Sequence, residues 1–512
     1  MPQKSNSSKK IGFDNEAYLK EQTAAILKRV NRFQDKLYLE FGGKIMFDYH
    51  AARVLPGFDP NVKMRLLLKL KDKIDIILCI YAGDIERKKI RADFGITYDS
   101  DALKAIDDFK EWGIDVSAVV ITRYESQPAA RSFKNKLERN GIQVYTHKFT
   151  KGYPSNVDHI VSDYGYGSNE YIETSKPIVV VAAPGPGSGK LATCLSNLYH
   201  DYKKGIKAGY AKFETFPIWN LALSHKVNIA YEAATVDLKD LVQIDYHHLE
   251  AYNIKTVNYN RDNEAFPLLK KIIEKITGEE SMYKSPTDMG VNRASAGIVD
   301  DEVIQEASHQ EIIRRYYRCA VEYAMGLVDR DTLDRAEMIM EIVNAKVEDR
   351  KVVEPAIQAA KEAEKQGKGN EGIFSGAAIE LKDGTIITGK NSPLMHAASS
   401  LILNAAKHLA ELPDSMNLLP KSIIDSIAFL KKEILKGRVV SLNLEETMIA
   451  LGISAISNPV AQMAVQKLKE LRNCEVHLTH IPTQGDEAGM RKLHMNLTCD
   501  PVFSTKSLFL RE

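Results

Sequence analysis

The sequence predicts an α/β protein with a mostly parallel sheet, and two observations carry that expectation. Short apolar runs rich in β-branched residues, such as Ile178 to Ala183, alternate with longer stretches of helical spacing. That alternation implies right-handed βαβ units. One such run ends in "PGPGSGK", a loop with three glycines and a lysine, before a helical stretch begins. In open α/β sheets, ligands bind at the carboxyl ends of strands, where this loop falls.

The elements follow in order. "NEAYLKEQTAAILKRVNRF" spaces Tyr18, Ala25, Ile26 and Val30 as one helical face, and "KLYLEFGGKIM" reads as a strand ending in a glycine pair. "KIDIILCIYAGD" is a second strand, and a helix is expected from Asp101 to Trp112. "DVSAVVITRYE" is a strand, "QPAARSFKNKLERNG" a helix stopped at Gly141, and "IQVYTHKFT" the next strand. After the glycine loop and its helix, "KAGYAKFETFPIWN" contains a strand that points Tyr210, Lys212 and Glu214 to one face.

From about Asp300 to Lys368 the chain is charged, alanine-rich and nearly free of Gly and Pro, which predicts a helical unit with solvated faces. From Ile373 the αβ pattern returns, with a hairpin around Lys382-Asp383-Gly384, a long helix and late strands in "NCEVHLTHI" and "LHMNLTCDPVF". The expected division is 1–285 as an α/β phosphate- or nucleotide-binding domain, 286–370 as a helical domain, and 371–512 as a C-terminal α/β domain.

Composition narrows the function. The 512 residues are 44% hydrophobic and 27% charged, an ordinary globular balance, and on a prior of roughly 150 residues per domain they suggest two to four domains. A net charge of +1 gives no bulk attraction to nucleic acid or anionic lipid. No apolar run approaches the roughly 18 residues of a membrane span. The basic N-terminus lacks a signal peptide's apolar stretch. Five scattered cysteines, with no C-x-x-C pair, fit reduced thiols and a cytoplasmic location.

The glycine loop invites two readings. Gly185, Gly187 and Gly189 allow positive φ and close approach of a ligand, and the amides of the following helix with its dipole attract an anion. Ser188 and Lys190 complete that cradle. The match to the ATP-binding P-loop is imperfect. Pro184 stands where the first glycine belongs, and Leu191 replaces the hydroxyl that holds magnesium, with Thr193 or Ser188 as substitutes. The other reading is a tight βα turn with a solvated lysine.

Further polar clusters are candidates for the same site. Lys212 and Glu214 could orient a nucleophile or metal, against a reading as a surface ion pair. Arg261, in "VNYNRDNEAF", offers a fork for phosphate or carboxylate. Lys284 and Asp288, in "YKSPTDMGVNRASAG", suggest a lid, although a capped helix start uses similar residues. His50, near the glycine pair Gly42-Gly43 and Lys44, is a candidate acid or base, while a lone histidine is more often structural. Lys212, Arg261 and Lys284 are expected to converge on Lys190, with Glu214 and Asp288 as metal or proton-transfer partners.

With "AGYAKFETFPIWNL", "YEAATVDL", "NYNRD" and "YKSPTDMGVN" in view, the chain resembles over nearly its full length a bacterial family catalogued as a domain of unknown function. The resemblance implies an α/β N-terminal part and a separate C-terminal part. Some members carry an ATP-dependent peptidase label, but the chain has no H-E-x-x-H and no G-x-S-x-G to support proteolysis. The C-terminal part resembles a cytidine-deaminase-like fold without its zinc motif. His396 is followed by two alanines where those enzymes have H-x-E, and Asn458-Pro459-Val460-Ala461 lacks the cysteines. The expectation is an enzyme, a transferase or ligase, that binds a nucleotide or other phosphorylated ligand. An ATP-dependent hydrolase and a non-catalytic nucleotide-binding assembly or sensor protein are the alternatives. ATP or another nucleotide with magnesium is the expected cofactor, without zinc. The expected partners are a small phosphorylated ligand and a second copy of the chain, with no nucleic acid and no membrane.

Overall fold

The computed structural model describes residues 10–91, 94–437 and 439–505. Two compact units result, one from Lys10 to Ser308 and one from His309 onward. Residues 286–308 thus pack with the first unit and 309–370 with the second. No helix among the described residues is long and apolar enough to cross a membrane.

The N-terminal unit holds a seven-stranded sheet of β1 (Lys36–Phe41), β2 (Ile74–Tyr81), β3 (Val116–Thr122), β4 (Val144–His147), β5 (Ile178–Ala182), β6 (Ala208–Phe213) and β7 (Gly290–Val291). Their order is β7-β6-β1-β5-β2-β3-β4, and every pairing is parallel. All residues of β1 and β5 are buried, as expected of strands covered on both faces. Tyr38, Cys79, Val179 and Val181 face Leu195 and Leu198 of the helix Lys190–Lys203. The opposite face is covered near β2 and β3 by the helix Tyr98–Glu111, which starts three residues earlier than expected.

Local chemistry explains the boundaries. Asp14 caps the helix Asn15–Val30 by accepting from the amides of Glu16 and Ala17. Proline stands at the first position of the helix Pro128–Arg139. The glycine loop leaves the end of β5, the central strand, so it opens onto the middle of the sheet's carboxyl edge.

The second unit carries a mixed sheet of β8 (Gly376–Glu380), β9 (Ile386–Lys390), β10 (Glu475–Leu478) and β11 (Asn496–Cys499) in the order β9-β8-β10-β11. Strand β8 is antiparallel to β9 and β10, and β10 is parallel to β11. Helices lie close on both faces because the contact positions are small. A Cβ at Gly376 would stand 2.1 Å from the Ala356 carbonyl oxygen of the helix Val353–Lys365. One at Gly389 would stand 2.4 Å from the Leu401 nitrogen of the helix Ala397–Leu409. The Arg350 guanidinium, 1% exposed, ties this sheet together. It donates to Glu475 at 2.8 Å, to Thr498 Oγ1 at 2.9 Å, and to the carbonyls of Val476 and Asn496.

Candidate functional site at the sheet mouth

The glycine loop is built as a rigid turn. Gly187 and Gly189 have φ of 71° and 86°, so both use the conformation that glycine tolerates best. A Cβ at Gly189 would come within 2.8 Å of Thr122 Cγ2, whereas one at Gly187 would enter open space. The Thr122 hydroxyl donates to the Ser188 carbonyl at 2.8 Å. Arg123 donates to the Gly187 carbonyl and lies 3.6 Å from the centre of the Tyr81 ring. The helix that begins at Lys190 is capped by Gly189 with no side-chain hydrogen bond, leaving its first amides to solvent or ligand.

The two hydroxyls considered as magnesium ligands are both engaged and buried. Ser188 Oγ donates to the Gly185 carbonyl at 2.8 Å, and Thr193 Oγ1 accepts from the Cys79 thiol at 3.4 Å. Leu191 packs against the apolar core beside the loop.

Lys190 turns inward instead of into solvent. Its ammonium lies 4.0 Å from Glu40 Oε1 at the end of β1, and its side chain is only 14% exposed. Glu40 also accepts from the Tyr210 hydroxyl of β6 at 2.7 Å. In register, Glu40 stands opposite Lys212, which brings the next group of charges alongside. The Lys212 ammonium is 2.6 Å from Glu214 and 2.6 Å from Asp262 in the first turn of the helix Asn260–Thr277. Arg261 pairs with the buried Asp240 at 3.2 Å.

Burial and neighbouring charge set the protonation of these groups. Burial would lower the Lys212 ammonium, but Asp262 and Glu214 outweigh it and hold it above its ordinary value. Burial raises the Glu214 carboxyl, with nearby Asp262 adding to the rise against Lys212. Burial likewise raises Asp240 against the pull of Arg261.

The expected residues do not all meet. Gly185, Gly187, Ser188, Gly189, Lys190, Lys212, Glu214 and Arg261 gather at or beside the mouth. The segment Lys284–Asn292 runs beside the mouth, with Gly290 of β7 in register with Lys212, but the Asp288 carboxylate is engaged within its own turn. The Asp288 carboxylate accepts from Tyr252 at 2.7 Å and from the Lys284 amide at 3.1 Å, and the Asp288 carbonyl accepts from Arg29. The lid expected over Lys284–Asn292 is thus a capped turn, with Ser285 accepting from the Asp288 amide, beside the edge strand β7. His50 is buried edge-on against Phe216 and Tyr231, with ring centroids 5.6 and 5.4 Å away. Tyr231 is the link between this aromatic group and the charges, since Arg261, Glu214 and Asp240 act on its phenol.

Sequence reasoning missed Glu40 and Asp240; it placed Tyr210 on the face of Lys212 and Glu214 without giving it a role. The available signal for Glu40 was a lone carboxylate in the otherwise apolar "LYLEF", at the end of a strand that leads into a glycine pair. A small cavity of about 50 Å³ lies under Pro184 on the other side of the sheet, among Ile80, Ala182, Phe94 and Phe109.

In the second unit, His396 is the N-cap residue of its helix and not part of it. Its Nδ1 lies 2.7 Å from the buried Asp486, whose other oxygen accepts from the Leu444 amide at 2.9 Å. Among the described residues, no group of three His, Cys, Asp or Glu side chains is placed to hold a metal ion.

Comparison with known proteins covers both units. Residues 11–344 match the family model described as domain of unknown function DUF1846, N-terminal, and residues 348–509 match its C-terminal counterpart. A UPF0371 protein from Clostridium tetani (strain Massachusetts / E88) is 58% identical over 500 residues, spanning 98% of this chain and 99% of that protein. One from Clostridium botulinum (strain Langeland / NCTC 10281 / Type F) is 59% identical over the same length and shares. With both family models matched in sequence and relatives aligned almost from end to end, the chain belongs to the DUF1846 family, whose curated relatives carry the name UPF0371.

Proposed function

We propose that the N-terminal unit binds the phosphate of a nucleotide or other small phosphorylated compound at Gly185–Lys190, and transfers or activates a group there. The observation that carries this reading is the loop itself. It is fixed by Thr122 and Arg123, leaves the helix amides uncapped, and directs Lys190 toward Glu40 at the end of β1. Lys190 supplies the mobile charge, Glu214 the proton-transfer group, and Lys212 holds Glu214 in place.

A non-catalytic sensor draws support from a separate observation. Lys212 and Arg261 already face carboxylates, so they serve the fold with no ligand present. The hydrolase alternative has less behind it. Ser285 and His248 lie 2.8 Å apart, but Ser285 is fully buried and caps a helix, and His248 uses Nδ1 for that contact. A nucleophile needs access, and its base a carboxylate on the second ring nitrogen.

Calorimetric titration of ATP, GTP and inorganic phosphate into the parent and Lys190→Ala tests the reading. A loss of at least tenfold in affinity for the bound compound is expected. Unchanged affinity removes Lys190 from the site, and a parent that binds none of the three ends the phosphate reading. Release of inorganic phosphate from a bound nucleotide separates enzyme from sensor.

A further inference from the structure

The charges at the mouth bear on what kind of phosphate it can accept, an inference that rests on the reading above. Three cations, Lys190, Lys212 and Arg261, face four carboxylates, Glu40, Glu214, Asp262 and Asp240. Arg123, on the Gly187 carbonyl, adds a cation at the loop, but a bare polyphosphate would still bring several negative charges up to these partly buried carboxylates, which electrostatics opposes. The mouth also contains Tyr259, 2% exposed, whose hydroxyl has no hydrogen-bond partner among the described residues. The Arg261 guanidinium lies 5.4 Å from the centre of the Tyr259 ring.

We infer that Glu40 exchanges partners when the ligand arrives. In the free protein it neutralises Lys190; in the complex Lys190 turns to the phosphate and Glu40 takes a divalent cation carried by the ligand. The site then selects a metal-chelated polyphosphate over a metal-free one. Several features fit this role. The Lys190–Glu40 contact, at 4.0 Å, is long for a direct hydrogen bond and easily exchanged. Glu40 keeps its place through Tyr210, which donates to its other oxygen. Ser188 and Thr193 are buried and hydrogen-bonded within the protein, and Glu40 is the carboxylate beside Lys190, which makes it the available anionic oxygen donor for the cation. Magnesium accepts this arrangement, since it is commonly held by one or two carboxylates with phosphate oxygens and waters completing its shell.

The test uses full-length protein, with inorganic triphosphate and ATP as probes, each titrated with and without magnesium. The parent should bind the magnesium form at least tenfold more tightly. Glu40→Gln should abolish that preference, with metal-free affinity rising because Lys190 is released. Glu40→Asp, which keeps the charge but shortens the reach, should weaken the magnesium form several-fold and leave the metal-free form unchanged; it also serves if the glutamine variant does not fold. Retention of the parent's magnesium preference in the folded variant overturns the Glu40 inference, while loss of binding in Lys190→Ala would leave the phosphate reading standing. If neither probe binds the parent in either form, both fall together.

Discussion

The mouth of the N-terminal sheet and the Arg350 cluster of the C-terminal sheet both take ionised groups out of water, and they do so to different ends. Arg350 is closed off: its donors meet Glu475, Thr498 and two carbonyls, and Arg314 reaches the same Glu475 at 2.9 Å. At the mouth, side-chain exposure runs from 3% at Asp240 to 50% at Arg261, and the charges meet in pairs instead of around one centre. A closed cluster whose hydrogen bonds tie strands together serves the fold, whereas the mouth leaves part of its charge open to water.

The largest effect should come from breaking the closed cluster. Arg350→Ala leaves Glu475 and two strand carbonyls short of partners, and should cost about 3–5 kcal/mol in urea unfolding. The Lys212 group should be more forgiving. Glu214→Gln removes a carboxyl that burial disfavours, while Asp262 still pairs with Lys212, so its cost should stay within about 1 kcal/mol. A loss as large as that of Arg350→Ala would erase the distinction between the clusters.

Acid should sharpen it, because the two carboxyls are shifted in opposite directions. Burial would raise Glu475, but Arg314 and Arg350 hold it down at about 2, against an ordinary 4.5. Its contribution is therefore complete above 4.5 and lost as pH falls toward 2, about 3 kcal/mol in all. Glu214 is raised when folded, so its contribution favours folding as pH falls and is lost as pH rises through the folded value. Unfolding curves of Glu475→Gln and Glu214→Gln, taken from neutral pH to pH 2, should diverge from the parent's in opposite directions.

The loop glycines test whether the turn is fixed as described. Gly187→Ala should cost about 1 kcal/mol, from the left-handed backbone alone. Gly189→Ala adds a clash with Thr122 and should cost about 1–3 kcal/mol more. Equal melting temperatures for the two variants would show that Thr122 does not fix the loop as described.

The strands and most helix positions were legible because they depend on periodicity and caps. "KIDIILCIYAGD" can bury itself only as a strand, and it does so as β2. The hairpin at Lys382-Asp383-Gly384 follows from Gly384 at φ 87°. Lys284 and Asp288 misled because a polar turn that caps itself has the same composition as a ligand-binding lid. Glu40 was hidden because a lone carboxylate in a strand carries no spacing signal.

The sequence by itself determined the alternation of strands and helices, the glycine loop at the end of a buried strand, and the family. These are fixed by local residue order, through backbone freedom at glycine and the burial of apolar runs. Only the tertiary structure decided which charges share a mouth. Glu40, Lys190, Lys212 and Asp262 come from four segments far apart in the chain, and sheet order and register set their separation. Because the strength of a charge pair depends on distance and on access to water, its partners appear only once the strands are aligned.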